Sequence, residues 1–105
     1  MIVTTTENIS GRRVQAVHGQ VFGLVVRSRG LAGNIMAALR SIMGGEIKEY
    51  TQLLEETRRH AIDRMVQNAQ VMGADAVVMM RFDSTEIGSM AEIVAYGTAV
   101  TLEQQ

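Results

Sequence analysis

Four groups of residues in this 105-residue chain could do chemistry. The first is Arg27, Ser28, Arg29 and Gly30, followed by Gly33 and Asn34. Arginines, a glycine-rich turn and the free amides at the start of a helix together suit an anion. No spacing here matches a P-loop or a dinucleotide fingerprint. Arginine is also enriched at subunit interfaces, where it pairs with carboxylates. The interface reading of this stretch is favoured, and the anion cradle stays open.

The second group is Arg81, Asp83, Ser84 and Glu86. Alternation along a strand puts Arg81 and Asp83 on one face and Phe82 and Ser84 on the other. The plain reading is an Arg81–Asp83 pair at a strand end, with Asp83 and Ser84 bonding turn amides. The functional reading is a polar site at a subunit boundary, with Arg27 or Arg29 of a neighbour reaching Asp83 or Glu86.

The third group could ligate a metal: His18, His60, Asp75 and Glu92, with Asp83 and Glu86 as further carboxylates. There is no cysteine, so thiolate sites and disulfides are excluded. No histidine pair sits at helical spacing to put two ligands on one face. A metal would need ligands from several subunits converging, and none is required by the sequence. The fourth group is catalytic, and it is thin. The paired Glu55 and Glu56 sit on a solvated helix face, and Tyr50 and Tyr96 read as core. No Ser–His–acid or Cys–His set is suggested, so a non-enzyme is expected.

The elements that must position these residues follow from periodicity. A short β-prone run at 2–5 precedes a Val-rich strand at 13–27, in which Gly19 and Gly23 mark a bulge or a close backbone approach. Leu31, Ile35, Met36, Leu39, Ile42 and Met43 recur at helical spacing, with Gly44 and Gly45 as the stop. Arg40 is the only charge in that short helix. A second helix is expected over 46–72, on the order of 40 Å long. Its apolar stripe is Ile47, Tyr50, Leu54, Ala61, Met65, Ala69 and Met72, widened by Leu53, Ile62 and Val66. Strands at 76–82 and 91–102, joined by a turn at 85–89, complete an antiparallel hairpin.

Length bounds the chain to one domain, residues 1–105. Hydrophobic residues are 47% and charged ones 20%, ordinary globular material. Ten basic residues oppose eleven acidic ones, so no basic excess marks a nucleic-acid binder. The N-terminus has no signal-peptide pattern and no apolar run is long enough for a membrane span. A cytoplasmic protein is expected, with neither nucleic acid nor membrane as partner.

One long helix covers one sheet face, yet Val77 and Met79 are expected opposite Val78 and Met80, making both faces apolar. Self-association into a closed ring is the expectation.

The stretches RSRGLAGNIMAALRSIMGGEIKEYTQLLEETR, GADAVVMMRFDSTEI and EIVAYGTAV resemble the signature of the YbjQ-like family of bacterial proteins, and the resemblance covers 1–103. It implies an α/β (α+β) subunit with a dodecin-like β-α-β-β core in two layers, here with an extra short helix. It further implies rings of five and a heavy-metal-binding label with no established role. Together these readings give a non-catalytic homo-oligomeric binding or assembly module, with a small anion or divalent metal ion as the partners to weigh. The alternative is a heavy-metal-binding protein using His and carboxylate ligands from several subunits.

Overall fold

A computed structural model describes residues 1–28, 48–87 and 90–104. Strands β1 (Ile2–Val3), β2 (Val14–Ser28), β3 (Ala76–Ile87) and β4 (Met90–Leu102) form one sheet in the order β1-β3-β4-β2. Helix α1 (Lys48–Val71) lies on one face of it. The chain is thus α+β, with a four-stranded mixed sheet: β1 joins β3 in parallel, and β3–β4 and β4–β2 are antiparallel. The short helix expected over 31–43 lies outside the described residues.

The long helix is held by a row of small and flexible residues. Ala61, Met65 and Ala69 recur every fourth position, and each is fully buried against Val21 and Val25 of β2 and Ala95 and Ala99 of β4. Thr57 continues the row, its buried hydroxyl donating to the Leu53 carbonyl at 2.8 Å. Leu54, expected in the same stripe, is instead 39% exposed, so the described residues cover the N-terminal half of α1 only loosely. The helix ends in a Schellman motif: Ala74 N–H donates to Ala69 O and Gly73 N–H to Gln70 O, both at 3.0 Å. Gly73 sits at φ 84°, which the motif requires.

Gly19 and Gly23 do the two different jobs that glycines in a strand can do. Gly19, at φ 114°, adjoins a register shift that leaves His18 bulged from the β2–β4 ladder. Gly23 faces α1 so closely that any Cβ would meet the Ala61 carbonyl and the Met65 amide. β2 is also a sheet edge, with outward carbonyls to satisfy. Two helix side chains reach over it: Arg64 Nη1 donates to Leu24 O at 2.6 Å, and Asn68 Nδ2 to Phe22 O at 2.8 Å.

β3 departs from simple alternation. Val78 pairs with Thr98 but Arg81 pairs with Tyr96, so β3 carries one extra residue at Met79–Met80. Met79 takes φ 57° and is 41% exposed, while Met80 turns into the helix-facing core beside Val77. The expectation that Val77 and Met79 share one face, opposite Val78 and Met80, is therefore wrong from the bulge onward. Left-handed backbone costs a non-glycine residue about 1 kcal/mol or more. Met79→Gly should raise the melting temperature by several degrees, and Met79→Val should lower it, in thermal melts followed by circular dichroism.

The expected turn at 85–89 also needs correction. β3 stays paired through Ile87 with Met90, so Thr85, Glu86 and Ile87 are strand residues. A fifteen-residue β2 supplies the partner length that lets the β3–β4 hairpin extend this far.

Among the described residues, the face away from α1 is covered at one end only. Ala76, Val78, Val100 and Leu102 pack there against Ile9 of the N-terminal segment. Towards the other end, Phe22, Leu24 and Val26 of β2 share that face with Tyr96 and Met90 of β4. All five are more than a third exposed. The molecule measures 55 × 27 × 16 Å, with a radius of gyration of 17.0 Å, against about 13 Å for a compact chain of this length.

Candidate functional site

Between the N-terminal half of α1 and the β3–β4 hairpin is a groove of about 420 Å³. The bulge at Met79–Met80 sets which side chains face it: beyond Met80, alternation turns Phe82, Ser84 and Glu86 towards the helix side. Ile93 and Ala91 come from β4, and Leu54 and Arg58 from α1. Phe82 and Ile93, which also pack on the main core, give the groove an apolar part, and Asp83, Thr85 and Glu92 complete a lining that holds three carboxylates with Glu86. The Arg58 guanidinium lies over the Phe82 ring, 5.2 Å from its centroid, where the electron-rich face attracts a cation.

Arg27 is not part of the groove lining but stands one strand away from it. It pairs with Ala91, which pairs in turn with Glu86, so the three form one row across the sheet. Val21 and Val25 of β2 point to the helix, and Arg27 follows them in the alternation. The side chain is half-buried, and its Nε is sequestered from solvent without a hydrogen-bond partner among the described residues. Ser28 closes β2, while Arg29, Gly30, Gly33 and Asn34 lie outside the described residues.

The Arg81–Asp83 pair read from the sequence does not form. Arg81 Nη1 instead donates to the carbonyls of Thr5 and Met80, at 2.9 and 2.8 Å, tying the N-terminal segment to the bulge. Asp83 accepts the Ser84 amide at 2.9 Å, the local bond expected of it, though inside a strand rather than a turn. Asp83 and Ser84 are exposed, and Glu86 takes part in an interaction of its own.

The metal candidates are dispersed. His18 sits at the β2 bulge with Nε2 2.6 Å from the Thr101 hydroxyl. His60 is on the exposed side of α1. Asp75 accepts the Leu102 amide at 2.8 Å, and Glu92 stands in β4 between Val26 and Thr85. Among the described residues, no group of three or more His, Asp or Glu could hold a metal ion. The donor set of one chain, which also lacks cysteine, does not fit a heavy metal. Among the same residues no helix is long and apolar enough to cross a membrane.

Sequence reasoning missed Leu54, Arg58 and Ile93 as neighbours of the Arg81–Glu86 stretch. Arg58 read as part of a solvated face, and nothing local tied it to Phe82, twenty-four positions on. The one usable signal was an arginine adjoining the apolar stripe of the helix.

Three comparisons place these features among known proteins. The YbjQ family, described as "Putative heavy-metal-binding", matches residues 1–103. A UPF0145 protein of Bradyrhizobium sp. (strain ORS 278) is 67% identical over 104 residues, covering 98% of this chain and 94% of that protein. UPF0145 proteins of the archaea Methanocella arvoryzae and Thermoplasma acidophilum are 51% and 53% identical. They are matched over 88% and 87% of their own lengths, and over 100% and 98% of this chain. The family is therefore not confined to bacteria, as the sequence resemblance had it. Among solved structures, a protein of unknown function of the DUF74 family from Pediococcus pentosaceus aligns with a TM-score of 0.63. The alignment covers 98% of each chain at 12% identity, a likeness of fold.

Proposed function

The chain belongs to the YbjQ family, and from that premise we propose that it is a non-catalytic, homo-oligomeric assembly module with a ligand site near its subunit boundaries. The observation that carries this reading is the sheet face that the described residues leave uncovered. Phe22 is 54% exposed, Val26 51%, Met90 54% and Tyr96 43%, side by side on two paired strands. An exposed apolar surface of this kind, interrupted by Glu92 opposite Val26, marks an interaction site, and a second copy of the chain is the occupant that every such molecule has at hand. The elongated shape supports the same reading, since long elements that overhang their own core gain cover from neighbours. A cytoplasmic ring, of five subunits as the family resemblance implied, is the closed form we propose.

Light scattering should give a mass several times 11.5 kDa, with five subunits the expected number. Phe22→Asp should dissociate the assembly while helical circular dichroism persists, because an interface cannot bury an unpaired carboxylate cheaply. A wild-type protein that stays monomeric at micromolar concentration sinks the proposal. The family's description favours a second reading, a heavy-metal site built from His18, His60, Asp75 or Glu92 of several subunits. Stoichiometric metal in protein purified without a histidine tag would select that reading.

A further inference from the structure

We propose that Arg64 and Asn68 guard the open edge of β2 against strand addition by a second copy of this chain. The inference stands apart from the ring, because it concerns the edge of the sheet rather than its face, and a monomer would need the guard equally.

The hazard is local. Val21, Phe22, Gly23, Leu24, Val25 and Val26 form an uninterrupted run with no charge and no proline. Segments of that composition pair with one another through their backbones when a sheet edge presents them. Here an edge does present them, because β2 is the last strand of the sheet. The opposite edge is treated differently. There the N-terminal segment runs along β3 as far as Met80: Thr4 N–H donates to Val77 O and Met80 N–H to Thr4 O, both at 2.9 Å. Beyond Met80, β3 carries Arg81, Asp83 and Glu86, and charges on an edge oppose pairing. Between Val21 and Val26, β2 has no charge of its own and, among the described residues, no covering strand.

What it has instead is α1. Gly23 lets the helix approach until the Ala61 carbonyl and the Met65 amide fill the space of a Cβ. Arg64 and Asn68 stand one turn apart on that helix. Four helical residues rise about 6 Å and two strand residues about 6.8 Å, so donors at i and i+4 match acceptors at i and i+2. The bonds follow that match: Arg64 Nη1 reaches Leu24 O at 2.6 Å, and Asn68 Nδ2 reaches Phe22 O at 2.8 Å. These are outward carbonyls that an incoming strand would use, and each already has its donor. Both side chains are exposed, so water competes for the bonds and they add little to the stability of the fold. Their effect falls on the edge.

Arg64→Ala combined with Asn68→Ala tests this in the full chain, followed by light scattering, thioflavin T fluorescence and circular dichroism. Below its melting temperature the pair should keep its helical signal, yet grow in mass several-fold beyond wild type and raise thioflavin fluorescence. Arg64→Lys keeps a donor and a charge on a long stem and should behave as wild type. Met65→Ala loosens the core but keeps both guards; it should melt earlier without fibre growth below its melting temperature. Should the alanine pair fail to fold, Asn68→Ala alone carries the test, with slower growth expected. The wild-type mass, whatever number of subunits it shows, reads the ring separately. A folded alanine pair that holds the wild-type mass and leaves thioflavin dark overturns the proposal. Equal fibre growth by Met65→Ala overturns it as well, because instability alone would then explain the fibres.

Discussion

Gly23→Ala is expected to be among the most damaging single-methyl additions this protein can receive. Gly23 is outside the left-handed backbone region, so alanine is acceptable there on conformational grounds. The difficulty is space. The new Cβ would run into the Ala61 carbonyl oxygen and the Met65 amide nitrogen, with the Arg64 carbonyl carbon at 3.0 Å. These are backbone atoms of α1, and no side-chain rotation moves them aside. The helix would have to lift off β2, loosening Ala61, Met65 and Ala69 together and stretching the bonds from Arg64 and Asn68 to the edge carbonyls. Overpacking usually costs about 1–3 kcal/mol, and a backbone obstacle puts this site at the upper end or above. A loss of about 3 kcal/mol corresponds to a fall of roughly 12 °C or more in the melting temperature. A thermal melt within about 2 °C of wild type would show that the helix does not approach β2 as described.

Met65→Ala is the second large effect, and it acts on the same contact from the other side. Met65 is among the largest fully buried side chains, packed against β2 and β4 from the C-terminal half of α1. Truncating it removes apolar burial and leaves a cavity that a sheet and a helix pinned by Gly23 cannot close. Such changes cost about 2–5 kcal/mol. Leu54→Ala provides the comparison, since Leu54 is 39% exposed at the groove and should cost about 1 kcal/mol or less. Urea unfolding of the two variants measures the difference directly. Equal losses would mean that α1 is rotated from the orientation in which Met65 is its innermost residue.

These two predictions divide the molecule into what a reader of the sequence could know and what required the fold. Met65 was legible: it recurs with Ala61 and Ala69 at helical spacing, and a long amphipathic helix declares its buried stripe locally. Gly23 was half legible, since a glycine inside a Val-rich strand announces either a bulge or a close approach, and only the packed helix shows which. The hairpin was legible too, although its length was not, because β3 persists to Ile87 on the strength of pairing partners in β4.

Other features left no local trace. Met79 looks like any apolar strand residue, yet the bulge there reverses the facing of everything expected beyond it. The parallel pairing of β1 with β3 joins residues more than seventy positions apart. Arg81 seemed made for Asp83 and instead holds the carbonyl of Thr5. The groove exists only because α1 lies over β2 and β4 and leaves the outer part of β3 uncovered, bringing Arg58 above Phe82. The sequence by itself determined which elements form and which stripe of each is apolar, because those depend on neighbours within a few residues. Tertiary structure alone decided register, bulge and the meeting of Arg58 with Phe82, because pairing and packing act between residues that are distant along the chain.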